Sequence, residues 1–151
     1  MRVMAVDPGT VRCGIAICDW MGMLATPVCV IKVKDGRKLA AAIVAKAVEL
    51  EAELIVLGYP IQMDGTAGPR ALAAEKMAEQ IRQKTDLEVQ LFDERMTSIE
   101  AEDLLKEAGY SLKDSKGMRD AAAAAVLLTW WLEKYPQSTP LPFNYDDEVD
   151  E

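Results

Sequence analysis

The sequence predicts an α/β fold on a mixed five-stranded sheet, three antiparallel strands followed by parallel strands, flanked by helices. Three observations carry this expectation. The first third of the chain alternates short apolar runs with glycine-bearing turns, two later apolar runs each follow a stretch of helical periodicity, and an alanine-rich segment lies near the C-terminus.

Taken in order, Arg2–Val6, Gly14–Cys18 and Leu24–Val33 read as strands separated by the turns Asp7–Cys13 and Asp19–Met23, a β-meander. Lys34-Asp-Gly-Arg37 signals a turn. Leu39, Ile43, Ala47 and Leu50 then recur at helical spacing, and the apolar run Leu54–Leu57 ends at Gly58. Tyr59–Gly68 is a loop rich in Gly and Pro. Pro69 suits a helix's first turn, and Ala71–Lys84 continues that helix with Leu72, Met77, Ala78 and Ile81 as its apolar face. Leu87, Val89 and Leu91 alternate with Glu88 and Gln90, a strand that runs into Asp93-Glu94-Arg95. Thr97 and Glu100 form a capping box for a helix through Ala108, Tyr110–Gly117 is a polar loop, and Met118–Tyr135 is a last helix. Its five consecutive alanines favour helix and permit close approach to a sheet. The order βββαβαβαα fits an RNase H-like sheet better than a doubly wound one, which begins βαβ.

Composition narrows the chemistry. The 151 residues hold 17 Lys+Arg, 25 Asp+Glu and no histidine, for a net charge of −8. Without histidine there is no Ser-His-Asp or Cys-His catalysis and no imidazole base, so carboxylates, lysines, hydroxyls or thiols must carry any reaction. Half the residues are hydrophobic, enough for one sizeable core. Cys13, Cys18 and Cys29 lack metal or redox spacing and read as small hydrophobes. No run approaches the length of a membrane span and the first residues do not form a signal peptide, so a soluble cytoplasmic protein is expected. Five acids fall in the last six residues, leaving 20 acids against 17 bases elsewhere. The expected organisation is one domain over 1–138 and a Pro-containing acidic tail over 139–151, solvated and disordered.

Three acids stand at the ends of elements that this topology brings together. Asp7 closes the first strand before Pro8-Gly9, Glu94 ends the fifth, and Asp120 lies in the first turn of the terminal helix, where the dipole favours negative charge. Converging carboxylates repel one another unless hard divalent cations such as Mg²⁺ or Mn²⁺ bind between them. A pair of such ions activates water and supports in-line phosphoryl displacement without histidine.

Four blocks add a resemblance. Asp7-Pro-Gly-Thr-Val-Arg-Cys-Gly-Ile-Ala-Ile-Cys-Asp19, Gly58-Tyr-Pro-Ile-Gln-Met-Asp-Gly-Thr-Ala-Gly-Pro-Arg70, Asp93-Glu-Arg-Met-Thr-Ser-Ile-Glu-Ala-Glu102 and Lys116-Gly-Met-Arg-Asp-Ala-Ala-Ala-Ala124 together resemble the YqgF/RuvX family, in its order and over almost the whole chain. That family has an RNase H-like fold related to RuvC resolvases. It is described both as a Holliday-junction resolvase and as a nuclease maturing the 5′ end of pre-16S ribosomal RNA. The resemblance implies a metal-dependent endonuclease with Asp7, Glu94 and Asp120 as catalytic and metal-holding residues and Mg²⁺ or Mn²⁺ as cofactor. It favours Glu94 over Asp93; neighbouring strand residues face opposite ways, so one of the two points into the site.

Arg12, Arg70, Arg95, Lys113, Lys116 and Arg119 are the candidates for gripping nucleic acid, structured RNA or branched DNA. The family's first block commonly has Lys-Arg where this chain has Val11-Arg12, which implies weaker phosphate attraction. Trp20, Trp130 and Trp131 suit either base stacking or packing in the core or at a homodimer contact. Two other readings stay open. Asp7-Pro-Gly-Thr10 also resembles the phosphate loop of actin-like ATPases, although those close two such domains around the nucleotide. The acidic balance suits a non-catalytic module in transcription or ribosome assembly.

Overall fold

The computed structural model of the chain describes residues 1–8, 12–59, 68–93 and 119–136. In chain order they form β1 (Val3–Pro8), β2 (Arg12–Cys18), β3 (Ala25–Lys32), α1 (Gly36–Glu49), β4 (Leu54–Tyr59), α2 (Pro69–Arg82), β5 (Glu88–Asp93) and α3 (Arg119–Lys134). The expected Thr97–Ala108 helix, the Tyr110–Gly117 loop and the acidic tail lie outside the described residues. β1 runs one residue beyond Asp7, to Pro8.

The strand order is β3-β2-β1-β4-β5. β1 pairs antiparallel with β2 and parallel with β4, β2 pairs antiparallel with β3, and β4 parallel with β5. This is the mixed sheet expected from the element order. β1 and β4 are interior strands with helices over both faces, which is why Val3–Val6 and Leu54–Leu57 are continuous apolar runs rather than alternating ones. Pro27 lies in β3, an edge strand with no further ladder needing its missing donor.

The pleat sorts the core into two layers. Met4, Val6, Cys13, Ile15, Ile17, Ile55, Leu57 and Val89 face α1 and α2, where they meet Leu39, Ile43, Ala47, Met77, Ala78 and Ile81. Val3, Ala5, Ala16, Cys18, Leu54 and Val56 face α3, against Ala124, Ala125, Leu127, Leu128 and Trp131. Leu72, expected on the buried face of α2, is 59% exposed. The inward ladder of that helix is Ala71, Ala74, Met77, Ala78 and Ile81, and Leu72 lies off it. Trp131 belongs to the core, its indole Nε1–H donating to Gln90 Oε1 at 3.1 Å, whereas Trp20 is exposed beneath the Arg2 guanidinium.

α3 comes closest to the sheet at Gly14. A Cβ built there would lie 1.8 Å from the Asp120 carbonyl oxygen and 2.6 Å from the Ala121 nitrogen. No side chain fits between β2 and the first turn of α3. Gly14→Ala is therefore expected to destabilise the fold by at least about 3 kcal/mol, the upper end of ordinary overpacking costs, because the obstruction is backbone. Urea denaturation of the two proteins measures it, and an unchanged midpoint would contradict the close packing.

Candidate active site at the carboxyl edge of the sheet

β1, β4 and β5 run parallel, and β3 shares their direction because it is antiparallel to β2. Their carboxyl ends therefore share one edge of the sheet. α1 and α2 are each the next described element after a strand that ends there, and α3 begins beside Gly14 at the same edge. Three helix N-termini thus point their positive ends at one rim, an environment that favours anions, carboxylates included.

Asp7 and the first turn of α3, which carries Asp120, lie on one face of the sheet at this rim. Asp7 pairs with Gly14 across the β1–β2 ladder, and opposite residues in such a pair project to the same face. That face is the one Gly14 presents to Asp120 and Ala121. Asp7 also continues the Val3, Ala5 alternation toward α3. The carboxyl group of Asp120 is held in the first turn of α3, with Arg12 Nε 3.2 Å from its Oδ2. Arg12 opens β2 on that same face, in step with Gly14, Ala16 and Cys18.

The other candidates divide. Asp93 is in step with Val89 and Leu91, which pack toward α1 and α2, while Phe92 packs toward α3. Asp93 therefore lies on the face opposite Asp7. It pairs in register with Tyr59, whose hydroxyl donates to Glu75 Oε2 on α2. That bond to a carboxylate pushes the Tyr59 phenol above its ordinary range. Arg70 is exposed in the first turn of α2, at the same rim but behind the sheet from Asp7, and Arg119 is exposed at the start of α3. Glu94, Arg95, Lys113 and Lys116 lie outside the described residues.

Asp7 and Asp120 offer hard oxygen donors, and the thiol of Cys13 packs in the opposite layer, so this donor set suits Mg²⁺ or Mn²⁺ rather than a thiophilic metal. Among the described residues no group of three potential metal ligands is assembled. A hexacoordinate ion would complete its shell from water, substrate oxygens or a further carboxylate.

With this geometry in hand, comparison with known proteins becomes specific. A family model described as RuvX, Holliday junction resolvase, matches residues 1–134. The chain belongs to the RuvX family. A relative from Anaeromyxobacter dehalogenans (strain 2CP-C) is 40% identical over 134 residues, 89% of this chain and 98% of the relative. One from Myxococcus xanthus (strain DK1622) is 35% identical over 150 residues, 98% of this chain and 99% of the relative. Both carry the name "Putative pre-16S rRNA nuclease".

Solved structures agree on the fold. RuvC from T. thermophilus, in complex with a Holliday junction substrate, superposes with a TM-score of 0.61 at 13% identity, covering 90% of this chain and 97% of that one. The Fowlpox virus resolvase with Holliday junction DNA superposes at 0.60 and 12% identity, covering 90% and 99%. The RuvX chain thus has the RNase H-like fold of the RuvC-type resolvases. Among the described residues no helix is long and apolar enough to cross a membrane.

Sequence reasoning did not single out Gly14 as the residue on which the Asp120 turn of α3 packs. The signal was present, since a glycine inside a strand marks close backbone approach. The Arg12–Asp120 pair is 55% and 29% exposed, so screening keeps its contribution small. Arg12→Gln is accordingly expected to change the unfolding free energy by no more than about 1 kcal/mol, measured in urea. A loss several times larger would show that the pair holds α3 in place.

Proposed function

We propose that the chain is a divalent-metal-dependent endonuclease that hydrolyses a phosphodiester in structured nucleic acid, with the 5′ end of pre-16S ribosomal RNA as its favoured substrate and branched DNA as the second. The observation that carries this reading is the placement of Asp7 and Asp120 on one face of the rim, on either side of Gly14. Family membership and the relatives' names support the reaction class and the RNA assignment.

Asp7 and Asp120 would hold the metal ions. Glu94 is assigned as the third carboxylate because the family resemblance favours it and Asp93 lies on the face away from Asp7. When bound, the ions polarise the scissile phosphate and lower the pKa of water at the site. In the reaction a water oxygen bonds to phosphorus, the bond from phosphorus to one sugar oxygen breaks, and that oxygen takes up a proton. The products are a phosphate monoester and a hydroxyl.

Arg12, more than half exposed at the same rim, would exchange its contact with Asp120 for a substrate phosphate. Arg119 at the head of α3, with Arg95, Lys113 and Lys116, would grip the flanking backbone. Arg70 would act from behind the sheet. Cutting both strands of a four-way junction would need two such sites, hence a homodimer.

Asp7→Asn and Asp120→Asn are each expected to lower Mg²⁺-dependent cleavage by at least about a hundredfold, since even residues one shell out from a metal commonly cost up to that much. Both variants and the parent are expected to unfold cooperatively at similar urea midpoints. A chelator should abolish the parent's activity, and excess Mg²⁺ or Mn²⁺ should restore it. The assay sets a pre-16S ribosomal RNA fragment beside a synthetic four-way junction. Full-rate cleavage by Asp7→Asn would remove the mechanism. Binding of both substrates without cleavage by the parent would favour a non-catalytic module instead.

A further inference from the structure

Behind the sheet from Asp7 and Asp120, a cleft of about 560 Å³ opens between the first turn of α1 and the length of α2 from Arg70 to Gln80. Its size falls within the range of ligand sites, roughly 300–1,000 Å³. Among the described residues its rim holds four cations, Lys34, Arg37, Arg70 and Lys76, against one acid, Asp35. All four cations are exposed. The Asp35 carboxylate is committed to capping α1, accepting from the Arg37 and Lys38 amides at 2.9 and 3.4 Å. Those two bonds hold its pKa below the ordinary carboxylate value, so it stays ionised and the rim is net positive by three.

The floor is different in kind. Leu39 from α1, with Ala74 and Met77 from α2, lines it with apolar surface. Arg70, Ala74 and Met77 stand on successive turns along one face of α2, so the charged mouth grades into an apolar groove between the helices. An apolar bed under a cationic rim suits a planar base joined to phosphate better than it suits a bare anion.

Position supplies the rest. Pro8 also lines the cleft, and it follows Asp7 in β1 with the opposite pleat. The cleft therefore begins one residue beyond Asp7, on the opposite face at the same rim of the sheet. We propose that it binds a single-stranded stretch of the substrate polynucleotide beyond the scissile bond: the strand turns over the rim at Pro8, lays a base against Leu39 and Met77, and places its phosphates among Lys34, Arg37, Arg70 and Lys76. The inference rests on the nuclease reading above and extends it to a second face of the molecule. It also accounts for attraction of a polyanion by a chain of net charge −8.

The test uses the full-length chain carrying Asp7→Asn, so that RNA is not cut, with and without Arg37→Gln plus Lys76→Gln. Binding of a labelled 20-nucleotide single-stranded RNA is followed by fluorescence anisotropy in Mg²⁺ across a salt series. Each phosphate contact on a single strand contributes about 0.7 to the salt slope, so losing two should lower the slope by about 1.4 and the affinity at low salt by about tenfold. Photo-crosslinks from 4-thiouridine should map to the peptide containing Met77 and vanish in the double variant. A matching urea midpoint confirms that the double variant is folded.

If the parent binds RNA and the double variant binds it with unchanged slope and affinity, the cleft assignment fails while the nuclease reading stands. If the parent binds no RNA, both fall. Inorganic phosphate, adenosine monophosphate and the 20-mer are compared as competitors. Equal competition by the small anions would make the occupant a free phosphate ligand and overturn the strand.

Discussion

The distance of closest approach between α3 and the sheet governs the functional end of this molecule. Gly14 has no Cβ, and the backbone of Asp120 and Ala121 occupies the space where one would be. Because Gly14 is also the cross-strand partner of Asp7, a packing constraint becomes a chemical one. The strand position of Asp7 and the helix turn that carries Asp120 are set on one face through a glycine. Ala121, Ala124 and Ala125 serve the same end, since larger residues there would hold the helix off the strands. Close packing transmits such positions rigidly, because interiors of this density leave little room for adjustment.

Electrostatics then gives the rim its character. Strand ends and three helix N-termini make it a region where negative charge is tolerated, and Arg12 adds a cation beside Asp120. The two faces of the sheet divide the labour. Toward α3 the rim holds Asp7 and Asp120, while toward α1 and α2 it holds a cationic cleft with an apolar floor. An overall negative charge is no obstacle to this arrangement, because attraction at short range depends on local charge within a Debye length rather than on the total.

Much of this was legible from residue order. Period-two and period-3.6 patterns placed β1 to β5 and the three described helices, and the β-meander followed from short glycine-bearing turns. Leu72 shows where the pattern misled. It is an apolar residue on a helix whose buried ladder is mostly alanine, and hydrophobicity alone did not reveal that alanine marks the close contact. Asp93 shows a different gap. The two adjacent acids of Asp93-Glu94 are equivalent in composition, and the pleat of a strand already fixed by Val89 and Leu91 is what sends Asp93 to the far face. Trp131 had two readings until Gln90 on β5 supplied the partner for its indole.

The sequence by itself determined the element order, the absence of imidazole chemistry and the presence of acids at strand and helix ends, because each is a local property of neighbouring residues. Tertiary structure decided which groups share a face. Arg12, Gly14 and Asp120 meet only when β2 and α3 are stacked. Lys34, Arg37, Arg70 and Lys76 form one rim only when the start of α1 is set against α2. Proximity between residues far apart in the chain is settled by packing, which no local pattern encodes.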